Sequence, residues 1–348
     1  MEHARFNQIT GRYPNLDIAV LGDFCLDRYL EIDPHRSELS IETGLPVHNV
    51  VRIRAQAGAA GTVLNNLSAL GIGTLRPIGF AGEDGEGYEL WCALEKLPGV
   101  RLDLFLRTAQ QRTFTYTKPL VMEPGRPPVE LNRFDMKNWN PTPGILQGLL
   151  MRNLAAAQQS HAVIVMDQAP LAETGVVTRK VLEALAVLAE SKPLMSVLAD
   201  SRRGFRDYPP VGLKMNASEL AAILGRSEMM NLQQISDAAA GLAVERRKCV
   251  FVTLAERGLL GAESNGSVAS VPAYPVRGPI DIVGAGDAVT ANLSAALAAG
   301  ATMLEALELA AAAASIVIHK LGTTGTASVP ELAALLFPEM RKPTEASS

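Results

Sequence analysis

The most informative stretch of the sequence is Asp281-Ile282-Val283-Gly284-Ala285-Gly286-Asp287, and the rest of the chain is organised around it. Its two glycines allow a tight turn of closely approachable backbone, and the alanine-rich run 288–299 that follows is a strong helix former. A helix that begins at this turn points its unpaired N–H groups, and the positive end of its dipole, at whatever lies above residues 284–286. The stretch therefore predicts an anion-binding cradle at a helix N-terminus.

An acid lies within the same turn. Asp287 would be out of place in a simple phosphate pocket, but it suits phosphoryl transfer. There the N–H groups stabilise the phosphoryl oxygens while the carboxylate accepts a proton from an attacking hydroxyl. The alternative is a plain strand-to-helix turn in which Asp287 is an exposed first-turn acid. The second aspartate, Asp281, and the strong helix signal favour the catalytic interpretation.

Composition bounds the class of protein. The 348 residues suffice for one large α/β domain or two ordinary ones, with 48% hydrophobic and 20% charged residues. A net charge of −4 gives no broad basic surface, so we expect no nucleic-acid partner. Cys25, Cys92 and Cys249 have neither zinc-site spacing nor a disulfide pattern. No apolar stretch is long enough for a membrane span and the N-terminus has no secretory signal, so we expect a cytoplasmic protein without a membrane partner.

Apolar runs predict strands that alternate with helices along most of the chain. Short runs that end at a glycine or a polar residue are typical of buried parallel strands. The predicted strands are 17–22, 75–80, 162–166, 194–199, 213–216 and 249–254, and the predicted helices lie in 58–71, 88–97, 173–190, 218–224, 288–299 and 303–319. The fold class is therefore α/β, with a mostly parallel central sheet flanked by helices.

Two patches, 30–54 and 112–134, have the pattern of short strands instead. We expect them to form one small sheet, inserted into the main domain as a lid that excludes water. Residues 1–338 then form a single domain, followed by a frayed tail at 339–348. Because such a sheet has an apolar face and open edges, the patches also predict a homodimer through the lids.

Two further acids follow the strand 17–22. Ligands of open α/β sheets bind beyond the carboxyl ends of the strands, so Asp23 and Asp27 fall where a small polar substrate would sit. For this segment alone, exposed loop acids are the alternative.

Together these motifs resemble the ribokinase-like (PfkB) carbohydrate kinases. The stretch 281–287 looks like their C-terminal signature, residues 319–323 like their nucleotide-side segment, and the run from Gly58 like their N-terminal glycine pair. The turn 82–87 is similar to the turn after that pair. Within the family, segments 20–29, 42–47, 133–135 and 320–323 are most similar to the heptose-phosphate kinase domain used in making ADP-heptose. The resemblance runs from about Asp17 to Pro330.

The resemblance implies a ribokinase fold with a small β-sheet lid, and transfer of the ATP γ-phosphoryl group to a hydroxyl of a sugar or sugar phosphate. It implies Asp287 as the catalytic base and Gly284, Ala285 and Gly286 as the anion hole. The substrate-binding candidates are Asp27, Asp23, Gly58, Thr62, Arg112 and Arg133, and the ATP-binding candidates are Thr253, Glu256, Gly258, Lys320 and Gly322. Asn216 and Glu219 match the family's Asn-x-x-Glu that organises Mg²⁺, and Asp281 matches a position that in many members helps hold a monovalent cation such as K⁺.

The chain departs from the family pattern at a few positions. Thr62 stands where many members have a sugar-contacting Asn, Val283 replaces a frequent Thr, and Ala311 replaces an Asn near the nucleotide. These changes bear on the identity of the substrate more than on the base or the cradle. The chain also ends where a bifunctional ADP-heptose enzyme continues into a nucleotidyltransferase, so we expect only the kinase half.

Alternatives stay open for several residues. Asn216 and Glu219 would also suit a helix cap, and Arg112 and Arg133 would also suit solvated charges of the lid. His161 and His319 are expected to be structural, since no partner lies at metal-ligand spacing. For the whole chain, the alternatives are a catalytically silent sugar or nucleotide sensor of the same fold, and a nucleoside kinase.

Overall fold

The computed structural model describes residues 1–226, 228–322 and 324–341. In chain order its strands are β1 Asp17–Gly22, β2 Phe24–Ile32, β3 Glu38–Leu39, β4 Pro46–Val47, β5 Val50–Ala59, β6 Thr74–Gly82, β7 Phe105–Thr108, β8 Phe114–Val121, β9 Val129–Glu130, β10 Phe134–Met136, β11 Ala162–Asp167, β12 Ser196–Ser201, β13 Gly212–Asn216, β14 Val250–Thr253, β15 Leu259–Ala262 and β16 Val268–Val271. Its α-helices are α1 His3–Thr10, α2 Ala60–Ala69, α3 Gly85–Glu95, α4 Gly144–Ala156, α5 Arg179–Ser191, α6 Ala217–Ile223, α7 Leu232–Arg246, α8 Ala285–Ala298, α9 Met303–Ile318 and α10 Val329–Leu336.

The main sheet has the strand order β16-β15-β14-β13-β12-β11-β1-β6-β7. Pairing is parallel from β7 through to β14, and β15 and β16 extend the sheet as an antiparallel hairpin. In chain order, β6 and β7 are added on one side of β1, and the next strand of this sheet, β11, pairs with the other side of β1. Strand order therefore reverses between β1 and β11, and open α/β sheets bind ligands at the carboxyl ends of strands beside such a reversal. The predicted fold class is confirmed.

Helices cover both faces of this sheet. Side chains of β1 alternate, so that Ile18 and Val20 join one apolar cluster while Ala19 and Leu21 join the other. The first cluster packs the sheet against α1, α2, α8, α9 and α10, and the second packs it against α4, α5, α6 and α7. None of the helices in the described ranges is long and apolar enough to cross a membrane.

A second, smaller sheet is built from both of the predicted β-patches. Its order is β10-β8-β2-β5, with β9 added to β8, while β3 and β4 pair only with each other. The first patch extends beyond its predicted bounds of 30–54, because β2 follows β1 after the single residue Asp23 and β5 runs directly into α2. The segment 24–29, for which a loop was the alternative, is a central strand.

The two faces of the small sheet differ in chemistry. One register row crosses four strands, and its members share a face; the row is Asp135, Tyr116, Asp27 and Gln56. We call this the inner face, because it is turned toward the start of α8. The Asp27 carboxylate lies near enough for its charge to raise the pKa of Asp287. The opposite, outer face carries apolar residues; those used below are Leu30, Ile32, Ile53 and Phe134.

Helix boundaries differ from the prediction where capping residues decide them. α3 starts at Gly85, three residues early, because the Asp84 side chain accepts a hydrogen bond from the Gly87 N–H. α5 starts six residues late, at Arg179, because Thr178 caps it and Glu173 has a left-handed φ of +64°. Four helices were not predicted from the sequence: α1, α4, α7 and α10.

Candidate active site

The glycine turn, Gly284-Ala285-Gly286, begins α8 at the carboxyl edge of the main sheet. Gly284 has a φ of +84°, a left-handed conformation that favours glycine. None of the described side chains caps α8, although the Ala285 N–H donates to the Ile282 carbonyl over 3.2 Å. A Cβ on Gly286 would lie 3.1 Å from the Nζ of Lys214, and one on Gly284 would lie 3.3 Å from Thr324. The turn therefore starts a helix at a left-handed glycine as predicted, and its role as an anion cradle stays a prediction.

Asp287 projects from the first turn of α8 and is half-buried. Burial raises the pKa of this carboxyl to about 7, and the negative charge of Asp200 adds to the rise. The positive charges of Lys214 and Arg202 oppose it. A carboxyl with this pKa exchanges protons near neutral pH, as a general base must.

A buried ion pair lies directly beneath the glycine turn. Lys214, in β13, places its Nζ 2.7 Å from Oδ2 of Asp200 at the end of β12. Thr290 donates to the same oxygen over 3.1 Å, which holds the pair against α8. Burial lowers the pKa of Lys214, but the charge and hydrogen bond of Asp200, together with the charges of Asp287 and Glu219, outweigh it and raise that pKa. Neither charge was predicted from the sequence, although a lysine within the apolar run Leu213-Lys214-Met215 was a usable signal.

Asp27 faces the same crevice from the inner face of the small sheet. It is buried, and Lys118 on β8 places its Nζ 3.1 Å from the Asp27 Oδ1. Gly58 lies against this acid from β5, since a Cβ on Gly58 would come within 2.4 Å of Oδ2. Only glycine fits there, so the structure brings Gly58 and Asp27 together as a unit. Lys118 was not singled out from the sequence.

Asp23 has a different environment. Its carboxylate accepts hydrogen bonds from the backbone N–H groups of Gln168, Ala169 and Val176, at 2.7 to 2.8 Å. Burial, and then the nearby charge of Asp167, raise the pKa of Asp23 against these stabilising bonds. Both carboxylate oxygens tie the end of β1 to the loop after β11, so we leave Asp23 out of the proposed substrate site.

The remaining substrate candidates are scattered. Thr62 is buried in the first turn of α2. The backbone of Arg112 is fixed by Asn138, and its side chain is exposed. Arg133 is exposed. Its guanidinium donates two hydrogen bonds to the Asp135 carboxylate, at 2.6 and 2.9 Å, and lies over the ring of Tyr116. The arginines therefore lie at the rim of the small sheet, where their expected contact with a substrate phosphate stays a prediction.

Three of the predicted nucleotide-side residues surround the turn between β14 and β15. Thr253 ends β14, and Glu256 is exposed in the following turn. Gly258 has a φ of +96°, and a Cβ there would come within 2.0 Å of the Val271 carbonyl oxygen. Gly258 is thus required by the close approach of this turn to β16.

The segment after α9 is tied to the C-terminal region. Lys320 donates to the Thr326 carbonyl over 2.6 Å and pairs with Glu331, and its expected contact with the nucleotide stays a prediction. Gly322 has a φ of +70° and open space around it, and Thr323 of the same motif lies outside the described residues. His319 is structural, because its Nε2 accepts from the Arg277 N–H and its Nδ1 donates to the Ser315 carbonyl.

Asn216 and Glu219 form a capping box at the start of α6. The Asn216 side chain accepts from the Glu219 N–H over 2.9 Å, and Glu219 accepts from the Asn216 N–H over 2.7 Å. The box occupies one oxygen of each side chain. Among the described residues no group of three or more His, Cys, Asp or Glu is placed to hold a metal ion.

Asp281 precedes the glycine turn. Its side chain accepts from the Val283 N–H over 3.0 Å, and its own N–H donates to the Ile318 carbonyl. These bonds join the entry of the glycine turn to the end of α9.

His161 also has a structural role, since its Nδ1 accepts from the Asp17 N–H at the start of β1. The expectation that both histidines are structural is confirmed.

The family model and the relatives that match this chain agree with one another. The model of the pfkB family carbohydrate kinases matches residues 17–330. The bifunctional protein HldE of Magnetococcus marinus is 32% identical over 309 residues, covering 88% of this chain and 61% of that protein. The HldE of Hyphomonas neptunium is 31% identical, covering 96% of this chain and 66% of that protein. The chain thus spans somewhat less than two thirds of the length of these relatives.

Solved structures agree on the fold. Phosphofructokinase-2 of Escherichia coli, in complex with potassium, superposes with a TM-score of 0.70 at 18% identity, covering 94% of this chain and 99% of that one. Ribokinase of Arabidopsis thaliana, complexed with ribose and ATP, gives a TM-score of 0.64 at 20% identity, covering 92% and 97%.

Proposed function

Because the chain belongs to the pfkB family of carbohydrate kinases, we propose that it transfers the γ-phosphoryl group of ATP to a hydroxyl of a sugar or sugar phosphate. One observation carries this proposal most directly. Asp287, whose pKa is raised to about 7, lies in the first turn of a helix that begins at an uncapped glycine turn. A proton acceptor and an anion cradle within one helical turn are what phosphoryl transfer to an alcohol requires.

In this proposal Asp287 takes the proton of the attacking hydroxyl as the oxygen–phosphorus bond forms. The bond between the γ-phosphorus and the bridging oxygen breaks, and ADP leaves with the bonding electrons. The glycine turn donates N–H groups to the phosphoryl oxygens. Lys214, whose ammonium lies beneath that turn, adds positive charge where negative charge accumulates.

The acceptor is proposed to lie between Asp287 and the inner face of the small sheet. Asp27 would accept hydrogen bonds from acceptor hydroxyls, and Lys118 keeps its buried charge compensated. Arg54 lies on the same face, although Glu31 pairs with it at 2.6 Å. Lys118 and Arg54 would pair with the phosphate of an acceptor that already bears one. While they stay paired with Asp27 and Glu31, the same site suits a neutral sugar.

Mg²⁺ and ATP are proposed to bind on the other side of the glycine turn, near α6 and the turn after β14. Mg²⁺ would neutralise charge on the ATP phosphates, and it keeps several water ligands, so a site built from few protein oxygens suits it. The second carboxylate oxygen of Glu219, which the capping box leaves over, and the remaining lone pair of the Asn216 Oδ1 fit this water-mediated role. Thr253, Glu256, Gly258, Lys320 and Gly322 remain the proposed nucleotide contacts, and Asp281 the proposed monovalent-cation residue.

The proposal is tested by a paired screen of free sugars and their phosphates, with Mg²⁺ and the non-hydrolysable analogue AMP-PNP present throughout. An acceptor at a hundred times its dissociation constant should stabilise the chain by about 2.7 kcal/mol, which is visible as a rise in melting temperature. Each hit is then incubated with Mg·ATP, and phosphorus-31 NMR should show one new phosphate ester formed per ADP. Stabilising acceptors that never become phosphorylated would contradict the proposal and favour a silent sensor.

A further inference from the structure

A hydrogen bond crosses from the small sheet to the segment beside the glycine turn. Gln56, in β5, donates from Nε2 to Oγ1 of Thr324 over 2.5 Å. Thr324 is buried, and a Cβ built on Gly284 would lie 3.3 Å from both its Cβ and its Cγ2. The Thr324 side chain thus packs close to the glycine turn, with slightly too little room for a side chain at position 284. One bond thus joins a strand of the small sheet to the wall of the proposed anion hole.

The other end of this bond lies at the proposed acceptor site. Gln56 stands directly opposite Asp27 in the register of β5 and β2, on the inner face. Its Nε2 also lies 3.5 Å from the hydroxyl of Tyr29, and Lys118 lies 3.5 Å from that hydroxyl and 3.1 Å from Asp27. The two 3.5 Å contacts are at the limit of hydrogen bonding, so they are close polar neighbours rather than strong bonds.

Tyr29, which lies between Lys118 and Gln56 in this series of contacts, is held in place by its neighbours. The ring of Tyr29 lies between two cations, with the Nζ of Lys118 4.9 Å from its centroid on β8 and the guanidinium of Arg54 4.8 Å from it on β5. Tyr29 is itself buried. A displacement of Lys118 is therefore felt by Tyr29, and through it by Gln56.

We propose that Gln56 and Thr324 form a strap that positions the small sheet against the glycine turn and couples the two proposed substrate sites. Any acceptor that engages Asp27 acts on Lys118, Tyr29 and Gln56 in turn, and an anion in the glycine turn acts on Thr324. The coupling half of this inference rests on the proposed function, whereas the strap itself rests on the structure alone. Gln56 and Thr324 are positioning residues, since they act through Asp27 and Gly284.

The strap is distinct from another contact that anchors the small sheet. Arg28 points from β2 to the opposite side of the sheet and pairs with Glu89 of α3 at 2.8 Å. Loss of that ion pair would loosen the sheet without touching Thr324. A comparison of the two anchors therefore separates a specific coupling role from simple attachment.

Hydrogen exchange in the ligand-free chain tests the strap. Thr324→Val keeps the size and branching of the side chain but removes the hydroxyl, and Thr324→Ser keeps the hydroxyl as the matched control. Loss of one shielded hydrogen bond should speed exchange of the β5 amides by about three- to tenfold in Thr324→Val. Thr324→Ser should exchange as the wild type does. Equal β5 exchange in the Val and Ser variants would overturn the strap.

The coupling is tested with Mg·AMP-PNP as the probe. In the wild type and in Thr324→Ser, the nucleotide should slow exchange in β5 and β2. In Thr324→Val it should bind with an affinity within about threefold of wild type but no longer protect β5. Glu89→Gln should speed exchange of the small sheet in the ligand-free chain and yet retain protection by the nucleotide.

Nucleotide protection of β5 in Thr324→Val that equals the wild-type protection would overturn the coupling. A wild-type chain that binds no AMP-PNP would instead contradict the proposed function. The ligand-free comparison of the Val and Ser variants would still decide the strap in that case.

Discussion

Charge placement around a single carboxyl governs the chemistry proposed here. Asp287 is half-buried at the N-terminal turn of α8, where the helix dipole favours the anion while burial disfavours it. Asp200 pushes the pKa of Asp287 upward and Lys214 pushes it downward, so the buried pair is close to neutral as a unit. Because Asp200 offsets its charge, Lys214 lies beneath the anion cradle without lowering the pKa of Asp287 too far for a general base.

Replacement of Lys214 by methionine should disturb both roles. The change removes the positive charge under the glycine turn and leaves Asp200 uncompensated beside Asp287. At pH 7, kcat should fall by about a hundredfold, the effect of losing one stabilising group in a charge cradle. The acidic limb of the pH profile should move upward by about one pH unit or more, because a raised pKa leaves less ionised base.

The pH dependence of kcat for Lys214→Met and for an exposed control, Lys180→Met, measures both effects. The double variant Lys214→Met/Asp200→Asn removes the stranded charge, so its acidic limb should return toward that of the wild type. A Lys214→Met profile with an unmoved acidic limb would show that Lys214 does not act on the base.

At the scale of elements, capping accounts for residues that also resemble ligands. The capping box of Asn216 and Glu219 at α6 is repeated at α7, where Asn231 and Gln234 make the same pair of bonds. The box is therefore sufficient to explain the local structure at α6, and it accepts a glutamine in place of the glutamate. A role in organising Mg²⁺, in contrast, needs the negative charge.

Glu219→Gln separates these two roles. The cap should survive, as it does with Gln234, so the free energy of unfolding should change by less than about 0.5 kcal/mol. If Glu219 organises Mg²⁺, the Mg²⁺ concentration at half-maximal rate should rise several-fold. Chemical denaturation and a Mg²⁺ titration of the rate measure the two quantities, and an unchanged titration would leave Glu219 with the cap alone.

Elements were predictable from the sequence where short-range signals decide them. The period of apolar residues located β1, β11 and β13, and Gly284 and Gly286 marked the start of α8. The start of α5 was missed because one cap, Thr178, outweighed an apolar pattern that began earlier. Polar and weakly periodic segments such as α7 gave no such signal.

The site was predictable only where its residues lie in one motif. The glycine turn, Asp287 and Asp281 are contiguous in sequence, so their proximity followed directly. Lys118 and Asp27 are 91 residues apart, and Gln56 and Thr324 are 268 apart. Their contacts depend on the register of the small sheet and on how it packs, and no local pattern carries that information.

At the scale of the whole molecule, part of the outer face of the small sheet is exposed, although Arg28 on that face pairs with Glu89 of α3. Ile53 and Phe134 are 52% and 63% exposed, and a groove of about 610 Å³ beside them is lined in part by Leu30 and Ile32. An apolar face of a sheet with open edges favours association with a second copy. We expect a homodimer through these faces.

Ile53→Glu should convert that dimer to a monomer, because it places an unpaired charge in a desolvated contact. Leu194→Glu is the control, since Leu194 is equally apolar and 99% exposed but lies on the main domain. Light scattering coupled to size exclusion gives the mass of each variant. A wild-type monomer of about 37 kDa at working concentration would refute the dimer.

The central claim is that Asp287 is the base of a phosphoryl transfer, and Asp287→Asn tests it most directly. Asparagine keeps the size of the side chain but takes no proton, whereas Asp237→Asn changes an exposed acid of α7 as the control. The measurement is kcat against pH on an acceptor whose phosphorylation has been verified. Wild type and control should lose rate as the pH falls through about 7, where Asp287 becomes protonated. Asp287→Asn should lose about a hundred- to ten-thousand-fold in kcat, with no such pH limb and little change in substrate affinity. Near-wild-type turnover by Asp287→Asn would contradict the account.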